Sequence, residues 1–280
     1  MKHVRLLILL SLAGPAARAE VGPLVLTDPG GAYEPGSLPA GRGWLALECG
    51  PAGCALRPTR LQLSRKTVLH LDEFRVPLEI PRVKGSPLAL LHGLALSPGP
   101  VTRWHGAGKD VDRATDQLRR LGRWTLPGDA RQLALSWVRL PDQGGFRYHL
   151  GDGTTRQFLF ATAFEGHYGG DTSPRVLWAG DLDGDGRADL LISLPDDNCG
   201  FDNRLYLSSA AGPGLLVGLA ARFAGRYPAC VAPSPSFVGR WVSAAVELAD
   251  QARTRAGGQV DFRRIDDVDL DVAGVELEVL

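Results

Sequence analysis

The sequence predicts a mainly β chain of antiparallel sheets, a sandwich or a partial propeller-like arrangement, with one or two short helices. Two observations carry that reading. Short apolar or alternating runs recur along the chain, separated by Gly, Pro or charged residues. Several of them come in pairs around a tight turn, as in "GFRYHLGDGTTRQFLFATAF", where Gly151, Asp152 and Gly153 supply turn residues that tolerate positive φ.

The first residues set the compartment. Lys2 and Arg5 precede an apolar run from Leu6 to Leu12, and Ala17-Arg18-Ala19 is a small-residue cleavage site, so residues 1–19 read as a secretory signal peptide. The run is too short to span a bilayer. The first cysteine, Cys49, lies far from the cleavage site, which predicts export without a lipid or membrane anchor, to the periplasm or the medium. Charge is balanced at 31 basic and 31 acidic residues, so no global field favours nucleic acid.

The remainder divides into an N-terminal β-rich region, 20–125, and a C-terminal β-rich region, 126–280. In the first, "GWLALECG", "CALRPTRLQLS" and "TVLHLDEF" predict strands near 43–48, 54–63 and 67–70. Pro98, Pro100, Gly106 and Gly108 break the stretch 98–112, which reads as a link between two parts. A short helix from Asp110 to Leu121 is expected, because Val111, Ala114, Leu118 and Leu121 fall near one helical face.

In the second region "RQLALSWVRL", the Gly151–Gly153 hairpin, "RVLWAG", "DLLISL", "RLYLSSA" and "LLVGLAARF" continue the β pattern. The run "RWVSAAVELADQARTRAG" suits a helix ending at Gly257 or a strand start. The terminal "DDVDLDVAGVELEVL" alternates acids with aliphatics around Ala273-Gly274. Its acids, Asp267, Asp269, Asp271, Glu276 and Glu278, are read as the wet face of a hairpin rather than as a cation site, since the period is two.

Four cysteines in an exported chain predict two disulfides. Three pairings are allowed, and proximity favours Cys49 with Cys54 and Cys199 with Cys230.

The densest chemistry lies in "VLWAGDLDGDGRADLLISLP". Asp181, Asp183, Asp185 and Asp189 occupy positions 1, 3, 5 and 9 of a loop between two strand-like runs, interleaved with Gly184 and Gly186. Alternate residues of a curved backbone point inward, and the glycines supply the curvature. Carboxylates near 5 Å apart repel by roughly 1 to 3 kcal/mol per pair at effective dielectrics between water and a protein surface. A hard divalent cation removes that cost. Calcium takes six to eight oxygens in flexible geometry, including a backbone carbonyl such as that of Arg187 at position 7, whereas zinc prefers His or Cys. An EF-hand would need Glu at position 12 and a helix on each side; position 12 is Ile192, inside a strand-like run.

The segment "GDLDGDGRADLLI" resembles the FG-GAP or VCBS-type calcium-loop repeat of integrin-like propellers and secreted bacterial proteins. The resemblance covers one copy of some 20 to 35 residues and finds no second DxDxDG loop in the chain. It implies that Asp181, Asp183, Asp185 and Asp189 are side-chain ligands, and that Leu190, Leu191 and Ile192 begin the outgoing strand.

Catalytic signatures such as GxSxG, HExxH and GxxxxGK are absent. The best remaining cluster is "FEGHYGGDTS", in which Glu165, His167 and Asp171 offer acid–base groups; a polar loop capping its own turns is the preferred reading. His70, His92, His105 and His149 are scattered. Trp44, Trp137, Trp178 and Trp241 read as core, while Trp104 and Tyr168 read as loop rings able to stack on a ligand. The expectation is an exported calcium-binding protein with a structural or interaction role, whose partner is an envelope or extracellular protein or a glycan. The alternative is a secreted calcium-dependent hydrolase using the Glu165–Asp171 loop.

Overall fold

A computed structural model describes residues 22–70, 74–106, 109–140, 145–162, 173–196 and 200–227. They fall in one unit, Met1–Ala232. The signal-peptide residues, Glu165, His167, Tyr168, Asp171, Cys199, Cys230, Trp241 and the terminal acids lie outside the described residues.

The chain is mainly β and its sheets are antiparallel, as the sequence predicts. It opens with β1 (Leu24–Leu26), β2 (Gly41–Gly50), β3 (Gly53–His70), β4 (Phe74–Arg82), β5 (Ala89–His92) and β6 (Gly99–Gly106). The helix α1 (Lys109–Leu121) and β7 (Arg123–Thr125), β8 (Ala134–Arg139), β9 (Phe146–Gly151) and β10 (Arg156–Thr162) follow. The last strands are β11 (Arg175–Asp181), β12 (Asp189–Asp196), β13 (Gly200–Leu207) and β14 (Gly218–Arg226).

One ten-stranded sheet runs β1-β5-β2-β3-β6-β11-β12-β13-β14, with β4 attached to β3; the other, four-stranded, runs β10-β9-β8-β7. The larger sheet curls until its ends meet, and the Arg222 N–H of β14 donates to the Pro23 carbonyl just before β1 at 3.2 Å. Strands from both sides of the 125/126 boundary share this sheet through the β6–β11 pairing.

Alternation builds the two sides of the sheet. On β12, Leu190 and Ile192 face a core shared with α1 and the smaller sheet, while Leu191 faces a second core with Trp178, Leu205 and Leu47. Gln157 of β10 joins the two sheets as a strand edge would. Its amide donates to the Val217 carbonyl at 2.7 Å and accepts the N–H groups of Leu216 and Val217.

Helix α1 forms where expected, with Asp110 and Asp112 in its first turn and Arg119 and Arg120 in its last, charges that complement the helix dipole. Val111, Ala114 and Leu118 are buried; Leu121, the last residue of the helix, is 74% exposed although it falls on the same face.

Three expectations are corrected. The stretch 98–112 is no link, since β6 occupies the middle of the large sheet between β3 and β11. Pro100 is tolerated near the start of that strand, and Gly106 lies against the Leu177 carbonyl and the Trp178 ring, where a Cβ would collide. Trp104 therefore sits on a strand, packed against the core that includes α1, and is no loop ring. The strands expected at 54–63 and 67–70 are one continuous strand, β3, held to β2 by its first half and to β4 by its second. Trp44 and Trp178 are fully buried and Trp137 partly so, as read.

Candidate metal centre

The hairpin β11–β12 lies in the middle of the large sheet, and its pairing closes at Gly180 opposite Asp189. Position 180 needs glycine because the neighbouring strand β6 comes close at a break in the β6–β11 register: a Cβ there would run into the Thr102 carbonyl and the Trp178 ring.

Beyond that pair the loop organises itself through its own carboxylates. Asp181 accepts the N–H groups of Gly184 and Gly186 at 2.8 and 3.0 Å. Asp183 accepts that of Asp185 at 3.3 Å, and Asp185 that of Arg187 at 2.8 Å. Each is a short-range side-chain-to-backbone bond of the kind that stabilises turns. Gly184 and Gly186 have φ of 82° and 77°, the left-handed region such winding requires. Leu182 and Ala188 point into the two cores and pin the loop at both ends.

Asp189 is 0% exposed. One of its oxygens accepts the Leu182 N–H at 2.7 Å and the other the Ser208 N–H at 2.8 Å. Burial pushes its carboxyl up to about 7, and the charge of Asp183 adds to the rise, against the opposing pull of the Ser208 and Leu182 N–H groups. Oxygen atoms of Asp181, Asp183 and Asp189 lie within 4.8 Å of one another.

Asp185 takes no part in that convergence. Its carboxylate binds the Arg187 guanidinium at 2.6 to 2.9 Å and accepts the Ser208 hydroxyl at 2.7 Å. Its partial burial raises its pKa, yet the Ser208 hydroxyl and the backbone and side chain of Arg187 together hold it below the usual carboxylate range.

Two residues were not singled out from sequence. Ser208 and Ser209 follow β13, and the Ser209 hydroxyl donates to Asp183 while Ser208 bonds both Asp185 and Asp189. They are some twenty residues downstream, and a Ser-Ser pair after a strand carries no mark of what it will meet.

The four histidines are not gathered here. His105 is buried against Trp124 with Nε2 3.0 Å from the Val176 carbonyl, and burial lowers its pKa despite that bond. His92 lies tilted against the Trp44 ring and His149 edge-on to Phe158, and of His70 only the backbone is described. Cys49 and Cys54 form a disulfide across the β2–β3 turn, as expected.

No protein-family model, no curated protein and no solved structure matches this chain.

Proposed function

We propose that the Asp181–Asp189 loop holds a calcium ion that rigidifies the β11–β12 hairpin, in an exported protein whose role is structural or interactive. The observation that carries this is the convergence of Asp181, Asp183 and the fully buried Asp189 within 4.8 Å. Three carboxylates so close, one of them away from water, cost free energy without a compensating cation. An all-oxygen set with no His or Cys suits a hard ion that accepts irregular geometry, which favours calcium over zinc and over the strict octahedron of magnesium. Asp181, Asp183 and Asp189 are the side-chain ligands of this reading. The Arg187 carbonyl is a further ligand, and Asp185 reaches the ion only by leaving Arg187 and Ser208. The likeness to an FG-GAP or VCBS-type hairpin supports the same assignment, as a single calcium hairpin set in a different sheet.

The test is thermal unfolding of the mature protein in EDTA and in calcium at about 1 mM, the range of extracellular calcium modules. Calcium is expected to raise Tm in the native protein and to leave Asp183→Ala unchanged. A native melting curve that is the same with and without calcium would sink the assignment.

A further inference from the structure

Beyond Leu61, β3 leaves β2 and pairs with β4 alone, in a ribbon running from Gln62–Arg82 to His70–Phe74. A two-stranded ribbon is marginally stable by itself, and a third strand is what such a pair lacks. The direction of the backbone groups says which edge is open to one, because in an antiparallel pair alternate residues turn both N–H and carbonyl to the partner.

On β2 the Leu47 carbonyl accepts the Leu88 N–H beside β5, so Trp44, Ala46 and Glu48 are the residues that face β3. Their partners there are Thr59, Arg57 and Ala55, so the odd positions of β3 face β2 and the even ones face the opposite side. β4 lies on that opposite side. Glu79 and Tyr33 exchange backbone hydrogen bonds at 2.8 and 2.9 Å, so Glu79 turns away from β3, and Leu78 and Ile80 are the residues that bond Lys66 and Ser64. Past Leu61 no described strand stands on the β2 side. The N–H and carbonyl groups of Leu63, Arg65, Thr67 and Leu69 therefore form an open edge, at 3.3 Å per residue about 23 Å long.

The two edges of the ribbon differ. On the outer edge of β4, Tyr33 takes the backbone of Glu79, and Pro77 has no N–H to offer. The edge Leu63–Leu69 contains no proline and has no such cover among the described residues.

The side chains of β3 narrow what can be added there. The strand holds Arg57, Arg60, Arg65 and Lys66 and no Asp or Glu; the next acids, Asp72 and Glu73, lie outside the described residues. Arg57 pairs with Glu48 and Arg65 with Glu79. Arg60 and Lys66 are exposed, share the even face of the strand, and have no ion-pair partner among the described residues. On the odd face Leu61 is buried and Leu63 packs against the same core. A second copy pairing by the same edge would set Arg65 and Lys66, at its middle, against their own counterparts, and like charges directly opposite are destabilising.

We propose that β3 accepts an extended acidic segment of a partner protein as an added strand. Its backbone bonds Leu63, Arg65, Thr67 and Leu69, its acids lie on the Lys66 face, and its aliphatic side chains lie beside Leu63. In strand addition of this kind the main-chain bonds give affinity and the alternate side chains give specificity. The edge shares no residue with the aspartate loop, so the proposal goes beyond the calcium reading and does not rest on it.

The test measures, by fluorescence anisotropy, binding of the labelled peptide VELEVEL to the native chain at low salt. VKLKVKL, and VELEVEL methylated on every backbone nitrogen, are the comparisons. VELEVEL is expected to bind and the other two are not. Thr67→Pro removes an N–H that points to the open edge, leaves the charge unchanged and takes no bond from β4; it is expected to weaken binding about tenfold or more. Lys66→Glu is expected to lose VELEVEL and to gain VKLKVKL. No binding of VELEVEL by the native chain, equal binding of either comparison peptide, or full affinity in a folded Thr67→Pro chain would each overturn the proposal. A native chain that dimerises where Thr67→Pro stays monomeric would give the edge to a second copy, and would overturn it too. The peptide comparisons on the native chain stand even where a variant fails to fold.

Discussion

The backbone N–H of Ser208 reaches Oδ1 of Asp189 at 2.8 Å, binding the end of β13 to the first residue of β12 at the mouth of the aspartate loop. With the Leu182 N–H on its other oxygen, this carboxyl is placed by backbone on both sides and sealed from water.

That arrangement sets a pH dependence for the cation-free protein. Asp189 has a folded-state pKa of about 7, above its unfolded value near 3.8. The folded state therefore holds the proton more tightly. The stabilisation is fully present below pH 4 and is lost as pH rises through 7, by an amount on the order of 4 kcal/mol at most. Urea unfolding in EDTA at pH 4.5 and pH 8 should show this loss in the native protein and not in Asp189→Asn. Under the calcium reading, added calcium removes the loss at pH 8. A native-minus-variant difference that does not change with pH would contradict the buried carboxyl.

Gly180→Ala is expected to be among the most damaging small substitutions in the chain. The added methyl meets the Thr102 carbonyl of β6 and the Trp178 ring, both in the middle of the sheet, and neither can yield without disturbing the β6–β11 ladder. A cost of about 3 kcal/mol or more is expected. Gly36→Ala is a comparison in open space, whose cost comes only from its φ of 83°. A smaller loss of Tm at 180 than at 36 would refute the close approach.

Reduction of the Cys49–Cys54 disulfide should cost little. The bridge closes a separation of five residues, for which the chain-entropy estimate is about 2 kcal/mol. The strands it joins are paired along the rest of their length, so the hairpin persists. Cys49→Ala/Cys54→Ala should fold with the native circular dichroism and a modestly lower Tm; an unfolded variant would show that the bridge carries more than its loop.

Restoring a missing donor on the edge of β4 should make the chain associate. Glu79 exchanges backbone hydrogen bonds with Tyr33 on the side away from β3, so by alternation Pro77 faces that edge without an N–H. Pro77→Thr supplies an outward N–H group and a β-former where the edge is exposed. Sedimentation is expected to show larger species at high protein concentration for the variant than for the native chain. An unchanged distribution would mean that this proline is not what protects the edge.

Much of the fold was legible locally. The β class, the helix carrying Val111, Ala114 and Leu118, the hairpin around Asp152 and the strands flanking the aspartate loop all follow from side-chain period and turn chemistry, which are properties of neighbouring residues. The internal bonds of the loop are local too, each carboxylate reaching an N–H two to five residues on.

What tertiary structure decided is everything that depends on a distant partner. Pro100 and Gly106 look like breaks until β3 and β11 are seen on either side of β6, where the proline stands near the start and the glycine admits Trp178. The four aspartates are equivalent by spacing. Only the approach of Ser208 and the turn of Arg187 draw Asp185 aside and leave Asp181, Asp183 and Asp189 facing one another. Sequence determined that oxygens would gather at this hairpin, because the charge and the glycines lie within nine consecutive residues. Which of them converge was settled by burial and by hydrogen bonds from Ser208, just past β13 and nineteen residues downstream of Asp189, an encounter that only folding of the sheet brings about.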